Sequence, residues 1–428
     1  MKELKLNINN IKVAFMLIVV YVLLLLNYRI VLVKYFDYLG FDSQYFTFSK
    51  LILATCITFL FVFMYLFISN GFYRIVYSIY FIIVFLGQPI FYIFNKSDFK
   101  LVLYLSLPMI VLLIFENVKG KKINIDIKLK IKDRLTWFVF CVLSLGLIVP
   151  FLKNYNVINL KNLLLIDIYD SRLQASSQSG GVLGYLFAPI SRVIFPFLFI
   201  YSLSNKKKIL SIITLTGIIM MFLLNGAVKS VFFGLIACIF FYKGNYSFKE
   251  KFFLKAIIFG VLLSLFESIF GSYRITDYMR RLFFVPPMLF QVYYEYFEMK
   301  PTFFLHSRIA DILGISSSST APYLSSTIPH FIGGEIMGKS GLSANVGIFV
   351  EGFFSFGTLG VIVMAIIFGF IINFINNRQL SPAYFGILFT FIYVINTSFI
   401  ETLFITHGLL IYLFFAWFII PKDKGINY

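Results

Sequence analysis

The sequence predicts an all-α integral membrane protein with about twelve transmembrane helices (about 11–13) and a large extracytoplasmic loop. Three observations predict it. Hydrophobic residues make up 60% of the 428, charged residues only 13%, and mean hydropathy is +0.90. A soluble protein of this length is about 45–50% apolar and about a quarter charged. The apolar residues come in runs of about 16–22, long enough to cross a hydrocarbon core of roughly 30 Å as helices. Lastly, the 37 basic residues outnumber 19 acidic ones and gather in short stretches between those runs. That pattern orients a membrane protein and needs no nucleic-acid partner.

The runs fall at about 13–33, 51–68, 75–94, 101–115, 135–152, 182–203, 209–224, 230–242, 256–271, 354–375, 383–398 and 402–420. The eighth is short and the sixth carries Pro189 and Pro196. MKELKLNINNIK precedes the first run with no small-residue cleavage site, so this run reads as an uncleaved first helix. Cys56, Cys141 and Cys238 all fall inside apolar runs, which argues against a disulfide framework and a cysteine metal site. With the N-terminus cytoplasmic, the lysine clusters at 119–134, 206–208 and 243–255 lie inside, as does the C-terminal tail. This places 21 of the 37 basic residues on the inner side and 14 on the outer. Trp137 and Trp417 then sit near the inner interface. Both termini are expected to be cytoplasmic.

The chain reads as one membrane domain, 1–428, with two outer segments set apart. The first, 153–181, ends in IDIYDSRLQASSQSGG; the second, 272–350, is the longest connection and reads as a cap. VPPMLFQVYYEYF and TFFLHSRIADILG within it have the periodicity of short helices lying against the membrane.

No Walker loop, nucleotide-binding glycine motif or HExxH is present. Three scattered histidines (His306, His330, His407) and no DxD pair, the nearest being Asp167 with Asp170, lead to an expectation of no metal and no cofactor. Outer arginines remain: Arg172, Arg274, Arg280, Arg281 and Arg308 lie in the two long segments. A guanidinium matches phosphate oxygens bidentately and stays charged, although single interfacial arginines also anchor in lipid headgroups. Arg192 lies near the middle of the sixth span between two prolines, where a charge needs a partner or a polar cavity. Lys229, in LLNGAVKS, caps an outer turn. Candidate proton acceptors are Asp170, His330 and Glu351, with Asp167, Glu295, Glu298 and Glu335 beside them.

These segments have an order. YDSR at Tyr169 to Arg172 precedes a glycine pair and GYLFAPISRVIFPFL; a NGAVKS turn follows, then RRLFFVPPMLFQVYYEYF, then ANVGIFVEGFFSFGTLG leading into a span. In this order and spacing the chain resembles the Wzy-type oligosaccharide repeat-unit polymerases, the O-antigen or capsule polymerases, over most of 160–375. The resemblance implies a fold like the helical, GT-C-like glycosyltransferases that use lipid-linked donors. It also implies transfer of a growing glycan from undecaprenyl pyrophosphate to an incoming lipid-linked repeat unit, at the outer face of a bacterial inner membrane. Arg172, Arg192, Lys229, Arg274, Arg280, Arg281 and Arg308 would bind pyrophosphate; His330, Glu351 or Asp170 would be the base; a chain-length regulator would be a partner. The same architecture serves O-antigen ligases, and a lipid-linked oligosaccharide flippase is the non-enzymatic alternative.

Overall fold

A computed structural model describes residues 8–118, 189–224, 229–307 and 328–423, with single positions at 155, 158, 160, 162, 187, 310 and 314. The described residues are helical, with one isolated bridge between Leu380 and Lys422. In chain order the helices are α1 (Ile8–Leu39), α2 (Phe48–Tyr65), α3 (Gly71–Phe94), α4 (Phe99–Asn117), α5 (Ile190–Ser204), α6 (Lys208–Leu224), α7 (Val231–Phe240) and α8 (Tyr246–Ile269). Then come α9 (274–297), α10 (348–355), α11 (358–377), α12 (Pro382–Val394) and α13 (Leu409–Phe418). Two compact units divide them: 1–119, 246–373 and 395–399 in the first; 120–245, 374–394 and 400–428 in the second.

Among the described residues, six helical stretches are long and apolar enough to cross a membrane: α1, α2, α3, α4, α8 and the 30-residue run Ile348–Asn377 that contains α10 and α11. Helices α5, α6, α7, α12 and α13 are shorter apolar helices at positions of expected spans. The expected fifth span, 135–152, and the outer segment 163–181 lie outside the described residues.

In the first unit the helix starts follow from capping chemistry. Thr47 accepts from the Lys50 N–H at the start of α2, Asn70 from Phe72 N–H (2.8 Å) at α3, and Asp98 from Lys100 N–H (2.9 Å) at α4. Nearly all of α3 is buried, whereas only about a quarter of α2 and of α8 is, as in lipid-facing helices. The helix ends fall into two sets. Asn10 pairs with Arg74, Ser78 with Glu250 and Ser69 with Glu116 at one end; Tyr45 meets Phe94, Lys50 meets Asn95 and Tyr294 meets Asp98 at the other. Consecutive helices that cross back and forth require this sorting.

Helix α8 begins ten residues before the expected 256 because Glu250 is buried and accepts from Ser78 Oγ at 2.6 Å, so its charged first turns stay helical. Helix α9, within the expected cap, presses its backbone onto α3. A Cβ at Gly87 would meet the Phe283 carbonyl at 1.8 Å, and Gly87 lies about 10 Å from the end of α3 by helical rise.

The expected span 354–375 is two helices. The chain breaks at Phe356 and Gly357, the latter at φ +60°, ψ −141°, a region that only glycine adopts readily. A Cβ at Gly360 would lie 1.8 Å from the Gly352 carbonyl, so α10 folds back directly on α11. Phe349, at the start of α10, packs on Tyr80 and Phe368 near the middles of α3 and α11. Thus α10 starts deep and climbs to the end where the Thr302 and Phe303 N–H groups donate to the Phe354 and Ser355 carbonyls (2.8 and 3.0 Å). Helix α11 alone, about 30 Å long, matches a hydrocarbon core.

The second unit packs through small residues. Gly217 receives the Phe195 ring, Gly234 meets Thr390, and Gly386 meets the Cys238 backbone. Buried Arg378 donates to the Ala416 and Trp417 carbonyls, satisfying the end of α13.

Candidate functional site

Two clusters of the first unit carry groups able to do chemistry. The first sits at the start of α9. Glu267, in the last turn of α8, accepts from the N–H groups of Arg274 (2.6 Å), Ile275 (2.8 Å) and Thr276 (3.2 Å). A buried chain of Asn27, Ser264 and Thr276, each link 2.8 Å, ties α9 to α1 and α8. One turn on, Asp277 accepts from two arginines: Arg280 Nη2 at 2.6 Å and Arg281 Nε at 2.8 Å. The Arg280 guanidinium lies over Phe36 and Phe41, 4.8 and 5.6 Å from the ring centres. One carboxylate therefore orients two guanidiniums, one buried and one, Arg281, 42% exposed. Asp277 thus holds two guanidiniums side by side, and a guanidinium fork matches phosphate oxygens.

The second cluster joins α10 to the turn that follows α9. His306 Nε2 lies 3.4 Å from Glu351 Oε1, and its Nδ1 lies 3.1 Å from Thr302 Oγ1. The side chains of His306 and Glu351 are 6% and 1% exposed. Phe304, Phe354 and Phe399 surround the imidazole at 5.5, 4.8 and 5.7 Å. The turn bends because Phe303 (φ +50°) and Phe304 (φ +62°) are both left-handed, a conformation that bulky side chains rarely adopt. Each such residue costs about 1–3 kcal/mol, and strain of this kind concentrates at working sites. The expected helix over TFFLHSRIADILG is accordingly a turn at Phe303–His306, while VPPMLFQVYYEYF is helical as expected.

The two clusters are separate. Arg281 and Tyr293 stand on one helix, about 18 Å apart by helical rise. Tyr293 and Phe297 are the residues that pack on Phe354, beside the imidazole. Between them, Tyr294 donates to Glu298 (2.7 Å), with Asp98 at 3.1 Å and Lys100 nearby. Burial, then these carboxylates, push its phenol up.

Of the residues named from sequence, the structure brings together Arg280 and Arg281, and it pairs Glu351 with His306. His330 is exposed on a separate short helix, Ile328–Phe331. Arg274 is exposed at the start of α9; Glu295 and Glu335 are exposed. Arg192 is buried in a π-helical turn of the second unit, within electrostatic range of His407. Lys229 opens the helix leading into α7. Asp167, Asp170, Arg172 and Arg308 lie outside the described residues, Arg308 only two positions beyond His306 in sequence. Sequence reasoning passed over His306, Thr302 and Asp277. The i, i+4 spacing of Thr302 and His306 is the only signal there, and it is weak; Asp277 ahead of Arg280 and Arg281 is a stronger one.

The fold and these clusters define a helical, multi-pass membrane protein with a buried imidazole–carboxylate pair and a paired-arginine site. Compared with known proteins, the chain matches no family model, no curated protein and no solved structure.

Proposed function

We propose that this protein is a metal-independent glycosyltransferase of the Wzy type. It would polymerise undecaprenyl-pyrophosphate-linked repeat units on the outer face of a bacterial inner membrane. The observation that carries the reading is the buried Glu351–His306 pair, on segments that the charge distribution assigns to the outer side. A base is needed to take the proton from the acceptor sugar hydroxyl, and an imidazole oriented by a carboxylate suits that work. The leaving group is a pyrophosphate, whose developing charge fixed cations can meet.

The separation of the clusters fits a reaction with two lipid-linked substrates. The arginine pair of α9 is too far from His306 to hold the leaving group there. It would instead hold the acceptor's own pyrophosphate, with the acceptor hydroxyl a short oligosaccharide away at His306. Arg172, Lys229, Arg274 and Arg308 are the further pyrophosphate-binding residues that the resemblance implies. Arg192 would serve a polar cavity of the second unit, and a chain-length regulator would be a partner. A histidine base on the outer side also suits an O-antigen ligase, which differs in its acceptor.

The test is the glycolipid ladder of a strain lacking the gene, beside wild type and complemented strains. Core carrying a single repeat unit and no longer rungs is the expected result. Bare core would overturn the polymerase in favour of ligase or flippase, and an unchanged ladder would remove this pathway.

A further inference from the structure

The proposed reading leaves open which imidazole nitrogen is the base, and the surroundings of His306 answer it. An ionised carboxylate only accepts hydrogen bonds, so an ionised Glu351 requires a proton on the nitrogen that faces it. That nitrogen is Nε2, 3.4 Å from Oε1. A threonine hydroxyl can donate, and Thr302 Oγ1 sits 3.1 Å from Nδ1. A neutral ring in which Nε2–H donates to Glu351 and Nδ1 accepts from Thr302 gives both ring nitrogens a partner. In this tautomer Nδ1 keeps the lone pair that a base requires, and Phe304, Phe354 and Phe399 hold the ring between its two partners.

We propose that Thr302 is a positioning residue: its hydroxyl, together with Glu351, fixes His306 as the Nε2–H tautomer and so makes Nδ1 the nitrogen that receives the acceptor's proton. The role rests on the glycosyl-transfer reading; the tautomer does not. Three features equip Thr302 for it. Its own N–H is tied to the Phe354 carbonyl at 2.8 Å, so its backbone is fixed to the helix that carries Glu351. It is 2% exposed, so water does not compete for its hydroxyl. And the left-handed Phe303 and Phe304 reverse the chain so that residues 302 and 306 face each other across the turn.

In the reaction, the acceptor hydroxyl displaces the Thr302 hydroxyl from Nδ1. Its proton passes to Nδ1, its oxygen forms the bond to the anomeric carbon, and the bond from that carbon to the pyrophosphate oxygen breaks, its electron pair leaving with the pyrophosphate. Glu351 then balances the imidazolium.

The experiment is nitrogen-15 NMR of the full chain, histidine-labelled, in lipid nanodiscs, with His306→Gln assigning the signals. Ring-nitrogen shifts report the tautomer directly. Wild type is expected as the Nε2–H form and Thr302→Ser likewise. Thr302→Val, which keeps the backbone contact, is expected to lose the single tautomer. In transfer assays Thr302→Val should lower kcat at least tenfold with KM little changed, and Thr302→Ser should restore it. A proton on Nδ1 in wild type, or an imidazolium, overturns the proposal whether or not any variant folds, as does a Thr302→Val protein with unchanged tautomer and kcat. The predicted tautomers in a protein that transfers no sugar would uphold the positioning geometry and overturn the glycosyltransferase reading.

Discussion

Asp277 and Glu351 each hold a basic neighbour in place, and this sets what their removal should do. Glu351→Gln keeps the shape of the side chain but can present an amide N–H to Nε2, turning the ring to the wrong tautomer. Together with His306→Gln it should lower transfer by about 10²–10⁴-fold, the usual worth of a positioned base. Single-turnover assays with purified lipid-linked substrate check this, and a loss below tenfold would remove the pair from the mechanism. At the arginine pair, Arg281→Lys is not conservative, because a point charge cannot keep both the Asp277 contact and a bidentate hold on phosphate. Raised acceptor KM with little change in kcat is the expected signature; equal loss in both would place Arg281 at the leaving group. His306 was hard to find from sequence for a physical reason. Its carboxylate partner lies 45 positions away, and its turn is made by two phenylalanines where a glycine would have announced it.

At the scale of elements, hydropathy shows where apolar helix runs but not where it breaks. Residues 348–377 are apolar throughout, so the division into α10 and α11 depends on Gly357 and on the contact between Gly352 and Gly360. Gly360→Ala and Gly352→Ala each force a methyl onto a carbonyl and should cost about 1–3 kcal/mol, as overpacking does. Gly357→Ala should cost about 1–3 kcal/mol through backbone strain alone. Gly334→Ala, with open space around it, is the matched control and should be neutral. Thermal unfolding in detergent measures all four; a stable Gly360→Ala protein would mean that α10 does not rest on α11. The start of α8 teaches the converse: Lys249, Glu250 and Lys251 read as loop, yet burial of Glu250 holds them in a helix.

Across the whole chain, the apolar, all-helical character was legible because it needs only length and composition, and six helical stretches among the described residues are long enough to cross a membrane. Sidedness rests on charge alone. Single-cysteine labelling with an impermeant reagent on intact cells should modify Lys339→Cys and leave Lys206→Cys untouched until the membrane is opened. Both positions are exposed loops, so the readout is direct. Labelling in the reverse sense would put His306 and the arginine pair on the cytoplasmic side and end the outer-face reaction.

Helix α10 also has a consequence for how the protein is made. Eight residues rise about 12 Å, far short of a bilayer, so the insertion machinery cannot treat α10 as a span. Nor can it enter lipid by itself, because its terminal carbonyls would lack donors there. It has to be drawn in after α3 and α11 stand in the membrane and the 302–303 backbone arrives to close its end. Glu351 reaches His306 only at that last step. Copies in which α10 has not docked would therefore lack the Glu351–His306 pair.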